Sequence, residues 1–168
     1  GTDDGMPRGV SASYKLLCGA LADAYRRLDV PASLTGRPRG EKAAGACYLH
    51  ATHADLSLGA AKLSGSAQVW DHDVVLQHGS FVRTRDVRAE ARVFRLGESG
   101  TKRLQTSTAT LESAPGGVPD LEVIAREVRA AFEASLGIVL EPGCLTPAEV
   151  SRAEELAEGF KVVAGGYR

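Results

Sequence analysis

Cysteine is scarce in this chain and shows no paired spacing. The three that occur, Cys18, Cys47 and Cys144, are an odd number without a Cys-x-x-Cys pattern. That argues against a disulfide framework or a zinc site, and it suits a reducing compartment. Aromatic residues make up only 5%, too few for a platform on which single-stranded bases would stack. Neither sign of charge dominates: 20 Lys and Arg face 21 Asp and Glu, for a net charge of -1. A nucleic-acid binder normally shows a basic excess, so none is expected as a partner. No apolar run approaches the about 20 residues of a membrane helix, so no membrane partner is expected either. The polar, glycine-rich start lacks the apolar core of a signal peptide, and the protein is read as cytoplasmic. His50, His53 and His72 lack ligand spacing with Cys or Asp, so no metal is assigned.

What is present is the composition of one globular domain. The chain has 168 residues, 43% of them hydrophobic, enough to close around one core. Residues 1–8 read as a flexible lead or tag remnant, with Met6 a candidate native start, and 9–168 as the domain. Val10, Tyr14, Leu17, Leu21 and Leu28 recur at helical spacing and predict a helix over 12–28, capped by Ser11 or Ser13 and stopped before Pro31. Residues 34–45 read as a polar glycine/proline loop whose cations are solvated.

From 46 to 96 the period becomes two. Strands are predicted at 46–50, 55–58, 62–70, 74–82 and 90–96, with turns at Gly59-Ala60 and Asp71-His72-Asp73. Alternation along 62–70 places Lys62, Ser64, Ser66 and Gln68 on one face, opposite Leu63, Gly65, Ala67 and Val69. Such a polar row is either a wet outer face or the floor of a site, and composition favours the wet face. Residues 97–118 read as mostly irregular, with Pro115-Gly116-Gly117 as a clear break. Asp120 begins a helix that Gly137 ends. Thr146-Pro147-Ala148-Glu149 forms a capping box before a last helix whose inner face is Val150, Ala153, Leu156 and Phe160. The expected class is α+β (mixed α/β), with helices packed on a largely antiparallel sheet.

Residues 59–82, GAAKLSGSAQVWDHDVVLQHGSFV, resemble the stretch of lipoate–protein ligases and octanoyltransferases in which a glycine turn leads to a lysine, a G-S-A-Q strand and an L-Q-H-G-S strand. The matching positions are Lys62, Gly65–Gln68 and Leu76–Ser80. Val10–Tyr14, Cys47-Tyr48, Leu145-Thr146 with Glu149, and the Ala153–Phe160 helix resemble further family segments, so the resemblance covers roughly 9–162. The family's Arg-Arg…Gly-Gly-Gly segment has no counterpart in the chain. The resemblance therefore implies a biotin/lipoyl ligase-like (class II synthetase-like) catalytic domain, incomplete at its N-terminus by about the first third.

Several roles follow as implications of that resemblance. Lys62 would hold the acyl carbonyl, its cation stabilising the oxyanion as the carbonyl is attacked; apart from the motif it would be an exposed strand lysine. Cys47 would be a nucleophile carrying the acyl group as a thioester, or else a small buried apolar residue. Gly65, Ser66 and Ala67 would let an acyl chain approach the backbone, or serve tight packing. Gln68, Gln77, His78 and Gly79 would complete the substrate site, with His78 shaping the pocket or sitting as a core histidine. The implied reaction transfers octanoyl or lipoyl to a lysine of a lipoyl-domain protein, a 2-oxoacid dehydrogenase E2 or the glycine cleavage H protein, with acyl carrier protein as donor. No cofactor is tightly bound; ATP and Mg enter only if the chain is instead a ligase working through lipoyl-adenylate. A non-catalytic remnant, or half of a split enzyme binding a complementary N-terminal chain, is the remaining alternative.

Overall fold

The computed structural model describes residues 2, 5–35, 55–113 and 115–160. It divides into two compact units, Gly1–Ile138 and Val139–Arg168. The strand expected at 46–50, with Cys47, lies outside the described residues, as does His53.

In the first unit, α1 (Val10–Arg27) is followed by β1 (Ser33–Leu34), β2 (Leu56–Leu58), β3 (Ala61–Ser64), β4 (Ser66–Asp71), β5 (Val74–Gly79), α2 (Val87–Val93), α3 (Glu98–Ser107), a 3-10 turn at Leu111–Ser113 and α4 (Leu121–Leu136). The strands form two antiparallel sheets, β1-β2-β3 and β4-β5. This is the mixed α/β class expected from the sequence, with helices on antiparallel strands.

α1 carries apolar residues on more than one face. It buries Leu17 and Leu28, but also Cys18, Ala20, Ala22, Ala24 and Tyr25. The small alanines let α4 approach closely. Tyr25 stacks on Phe81 with ring centroids 4.4 Å apart, and around this pair lie Val30, Leu56, Leu63, Leu111 and Ile124. Each buried Leu or Ile contributes roughly 2 kcal/mol relative to exposure. Neither serine caps α1. Gly9 holds the N-cap position, and Ser13 is buried one turn inside, its hydroxyl bonded to the Gly9 carbonyl at 2.9 Å.

The run 62–70 is not one strand. It breaks at Gly65 into β3 and β4, which belong to different sheets. β3 also carries an irregularity: Leu56 pairs with Ser64 while the next residue, Ser57, pairs with Lys62. That extra residue ends strict alternation, and Lys62, Leu63 and Ser64 are all buried in succession. The reading of Lys62 and Ser64 as a wet face is thereby overturned.

Residues 90–96 are not a strand, and 98–107 and 111–113 are helical where an irregular stretch was expected, with a turn at Pro115-Gly116 as anticipated. The Asp86 carboxylate accepts the Ala89 N–H at 2.9 Å and so starts α2, since an N-cap side chain satisfies an orphan donor of the first turn. α3 follows almost at once and buries Leu104. At the end of α4, Gly137 adopts φ 66 and its N–H bonds to the Glu133 carbonyl, the expected left-handed stop.

The second unit holds α5 (Pro147–Ala157) and a 3-10 turn at Glu158–Phe160. The capping box forms: the Thr146 N–H donates to the Glu149 carboxylate at 2.7 Å, and the Glu149 N–H donates to Thr146 Oγ1 at 3.3 Å. The Thr146 N–H and, at 2.8 Å, the Thr146 hydroxyl both donate to the Glu149 carboxylate and hold it below its usual range. The anticipated inner face is not buried: Val150, Leu156 and Phe160 are exposed, and α5 has no buried residue. Among the described residues no helix is long and apolar enough to cross a membrane.

Candidate functional site

Lys62 is held from both sides. Its strand residue pairs with Ser57 on β2, and its carbonyl accepts the Ala109 N–H at 2.8 Å just beyond α3. Its side chain turns inward, and Nζ lies 3.0 Å from Asp55 Oδ2, with the two side chains 9% and 2% exposed. Asp55 is fixed in turn by Thr35, whose N–H and hydroxyl both donate to the Asp55 carbonyl, at 2.8 and 2.7 Å. Asp55 opens the segment that leads into β2, and sequence reading missed it; its spacing of seven from Lys62 across the Gly59-Ala60 turn is the signal that could have found it.

A buried ion pair is about neutral for stability when compared with well-packed apolar residues, because desolvation offsets attraction. Stability alone therefore does not explain why this pair sits in the interior. The path of the lysine gives a second clue. A Cβ built on Gly65 would lie 3.2 Å from both Cε and Nζ of Lys62 and 3.8 Å from Asp55 Oδ1. The ammonium therefore occupies the space that a side chain at position 65 would take.

That space marks the head of a stripe. Gly65 precedes β4, so its side-chain direction is that of Ala67 and Val69, two and four residues on. Across the hairpin Ala67 pairs with His78 and Val69 with Leu76. These four residues point outward, with Val69 58% and Leu76 65% exposed. The other face of the hairpin, toward α1, carries the polar groups: Ser13 donates to Gln68 at 2.9 Å, Gln68 donates to Gln77 at 2.8 Å, and Gln77 reaches Cys18 Sγ at 3.6 Å. The glutamines thus face in beside Trp70 and Val75, while Ala67, Val69 and Leu76 face out with His78.

The structure thus brings Lys62 together with Gly65 and Asp55, and pairs Ala67 with His78 on the outward face of the hairpin. It sets Ser66, Gln68 and Gln77 on the α1 side, with Gly79 opposite Ser66 in the ladder. A groove of about 390 Å³ runs past β5, lined among others by Leu17, Leu76, Gln77, His78, Phe81 and Phe132, within the size range of small-ligand sites. Lys62 does not line it, but Leu76 and His78 belong to both the stripe and the groove.

Two further groups border the pair. The Tyr14 hydroxyl donates to the Ser66 carbonyl, and burial, with the nearby Cys18 and Asp55, pushes the phenol up to about 12. Burial likewise pushes the Cys18 thiol up, against hydrogen bonds from Gln77 and Ser66. Cys18 is a protonated, enclosed thiol, unsuited to attack.

Comparison with known proteins gives the family and the fold. Residues 2–133 match the family model described as the lipoyl protein ligase A/B catalytic domain. An octanoyltransferase LipM of Symbiobacterium thermophilum is 34% identical over 165 residues, covering 91% of this chain and 60% of that protein. The LipM of Kyrpidia tusciae is 29% identical over 175 residues, covering 98% and 64%. Among solved structures, the crystal structure of lipoate-protein ligase A bound with ATP superposes with TM-score 0.69 at 19% identity, over 90% of this chain and 56% of that one. The chain therefore spans about 60% of the length of the curated relatives it matches. With a family model matched over most of its length and the same fold in a solved relative, the chain belongs to the lipoyl protein ligase A/B catalytic domain family.

Proposed function

We propose that this chain is the acyl-handling part of an enzyme that transfers an octanoyl or lipoyl group to a lysine of a lipoyl-domain protein. The observation that carries the reading is the Lys62 ammonium, fixed by Asp55 in the space beside Gly65, at the head of an outward apolar stripe. A carbonyl placed against Nζ would have its developing oxyanion stabilised there, and an enclosed cation strengthens that effect. The tail would lie along Ala67 and Val69, cross to His78 and Leu76, and enter the groove beside β5.

The donor in this reading is acyl carrier protein, and the acceptor is the E2 of a 2-oxoacid dehydrogenase or the H protein of glycine cleavage. The relatives named octanoyltransferase support transfer from a carrier over ATP-dependent activation. Cys47 is assigned the nucleophile role: its thiolate adds to the donor thioester, the carrier thiol leaves, and the acceptor lysine then takes the acyl group and releases Cys47. No cofactor takes part; the acyl group is substrate, and ATP with Mg belongs only to the ligase route.

The test is the intact mass of the protein after incubation with octanoyl-loaded acyl carrier protein. The reading expects one octanoyl adduct that Cys47→Ala abolishes. No adduct, or one indifferent to that substitution, contradicts the covalent route, and lipoate-dependent pyrophosphate release would point to the ligase instead.

The hairpin edges favour a second reading alongside the first. Among the described residues β4 and β5 pair only with each other, and a strand edge beside an apolar face is a template for another strand. A complementary polypeptide, such as the Arg-Arg…Gly-Gly-Gly segment, would add there and roof the stripe.

A further inference from the structure

The chain's charges are balanced overall but not in space. From Arg83 to Arg103 there are seven Arg and Lys against three Asp and Glu, a local excess of four in a chain of net charge -1. α2 and α3 pack on one another, and Arg88, Arg92 and Arg95 line one cleft of about 550 Å³ with Ala91, Leu96 and Thr101. All three arginines are exposed, and none of them makes an ion pair among the described residues.

The backbone adds an independent sign. At the end of α2 the Arg95 N–H bonds to the Arg92 carbonyl and the Leu96 N–H to the Ala91 carbonyl, the closure that places the residue after the helix in a left-handed conformation. Glycine suits that position, but here it is an arginine with φ 51, a conformation that is unfavourable for an L-residue. Strain of this kind is characteristically retained where the side chain has a task. Val93, 75% exposed, and Phe94, 37% exposed, lie between the cations. Arginine beside exposed apolar and aromatic surface is the composition of a protein interface rather than of a phosphate track.

We propose that this α2–α3 face docks the acidic face of the protein that carries the acyl group, an inference that rests on the transfer reading above. Its position fits. α3 runs from the cleft to Thr108, which bridges to Lys62, and ten helical residues span about 15 Å. A carrier seated on the arginines would deliver a flexible arm along α3 toward the ammonium.

The experiment measures association of octanoyl-loaded acyl carrier protein with the chain and with R88E/R92E and R95G, at low and high salt. Steering by surface charge predicts about a tenfold slower association for R88E/R92E at low salt, with the difference shrinking as salt is added. R95G should weaken binding while raising the melting temperature, because glycine relieves the strained cap; a merely structural arginine would not split these two readouts. Wild-type binding that survives R88E/R92E overturns the docking face alone. A wild-type chain that does not bind the carrier overturns the donor reading and this inference together. Carrier binding that is unchanged while the variants lose affinity for a duplex DNA oligonucleotide assigns the face to nucleic acid and also overturns it.

Discussion

The Lys62 ammonium and the Asp55 carboxylate lie 3.0 Å apart, both withdrawn from water. Removing one member of such a pair leaves the other charge buried without compensation, which typically costs about 3–5 kcal/mol. Asp55→Asn should therefore lower stability by an amount in that range in chemical denaturation, and Lys62→Met should do the same. The double variant Asp55→Leu/Lys62→Met should recover most of the loss but stay inactive. A double variant with full transfer activity would show that the pair is structural only.

Gly65 and Gly79 are small for different reasons. A methyl at 65 meets the end of a flexible lysine, whereas one at 79 would lie 2.9 Å from Ser66 Oγ and 3.2 Å from the Gly65 carbonyl, and that backbone cannot swing away. Gly79→Ala should destabilise by about 1–3 kcal/mol, as overpacking does. Gly65→Ala should leave the melting temperature nearly unchanged yet slow transfer about tenfold or more, because small misplacements of a catalytic group are costly. Melting curves and single-turnover rates measured side by side separate the two effects.

Alkali should loosen the fold through α1. Cys18 and Tyr14 both titrate higher in the folded protein than their ordinary values, so the folded state keeps protons that the unfolded chain has lost. Their contribution is complete below the ordinary thiol range and is lost as pH rises through the folded values. Thermal stability should fall from about pH 8 toward pH 11 by this linkage, and Cys18→Ala should flatten the early part of that fall. In the native protein a thiol reagent should modify the exposed Cys144 well before the buried Cys18.

Much of this architecture was legible in the sequence because it depends on local chemistry. The Gly59-Ala60 turn, the left-handed Gly137 and the Thr146–Glu149 box each declare themselves within four residues, and the Lys62–Gln68 and Leu76–Ser80 motifs marked the family. What was not legible depends on contacts far along the chain. The bulge in β3 and the break at Gly65 accompany a lysine that folds back beside that glycine toward Asp55, which no alternation pattern encodes. The strand expected at 90–96 is instead the end of α2 and the turn after it, and the Asp86 cap that decides the matter lies upstream. In β4–β5 the glutamines face in while Val69 and Leu76 face out, so composition favoured the wrong face for the polar row.

The outward stripe can be tested by charge. Val69→Lys/Leu76→Glu, opposite charges on directly paired residues, should leave stability within about 0.5 kcal/mol, as surface substitutions usually do. The same variant should abolish binding of an octanoyl chain, followed by the loss of carrier-dependent protein labelling. Unchanged labelling would move the acyl tail elsewhere.

The most direct measurement is the single-turnover rate of octanoyl transfer from loaded carrier to a lipoyl-domain lysine, compared for the wild-type chain and Lys62→Met. Loss of one preorganised oxyanion partner costs about 10²–10³ in rate, and a drop of that size is the expected result. A Lys62→Met protein that remains folded and transfers octanoyl within about twofold of wild type would contradict the assignment.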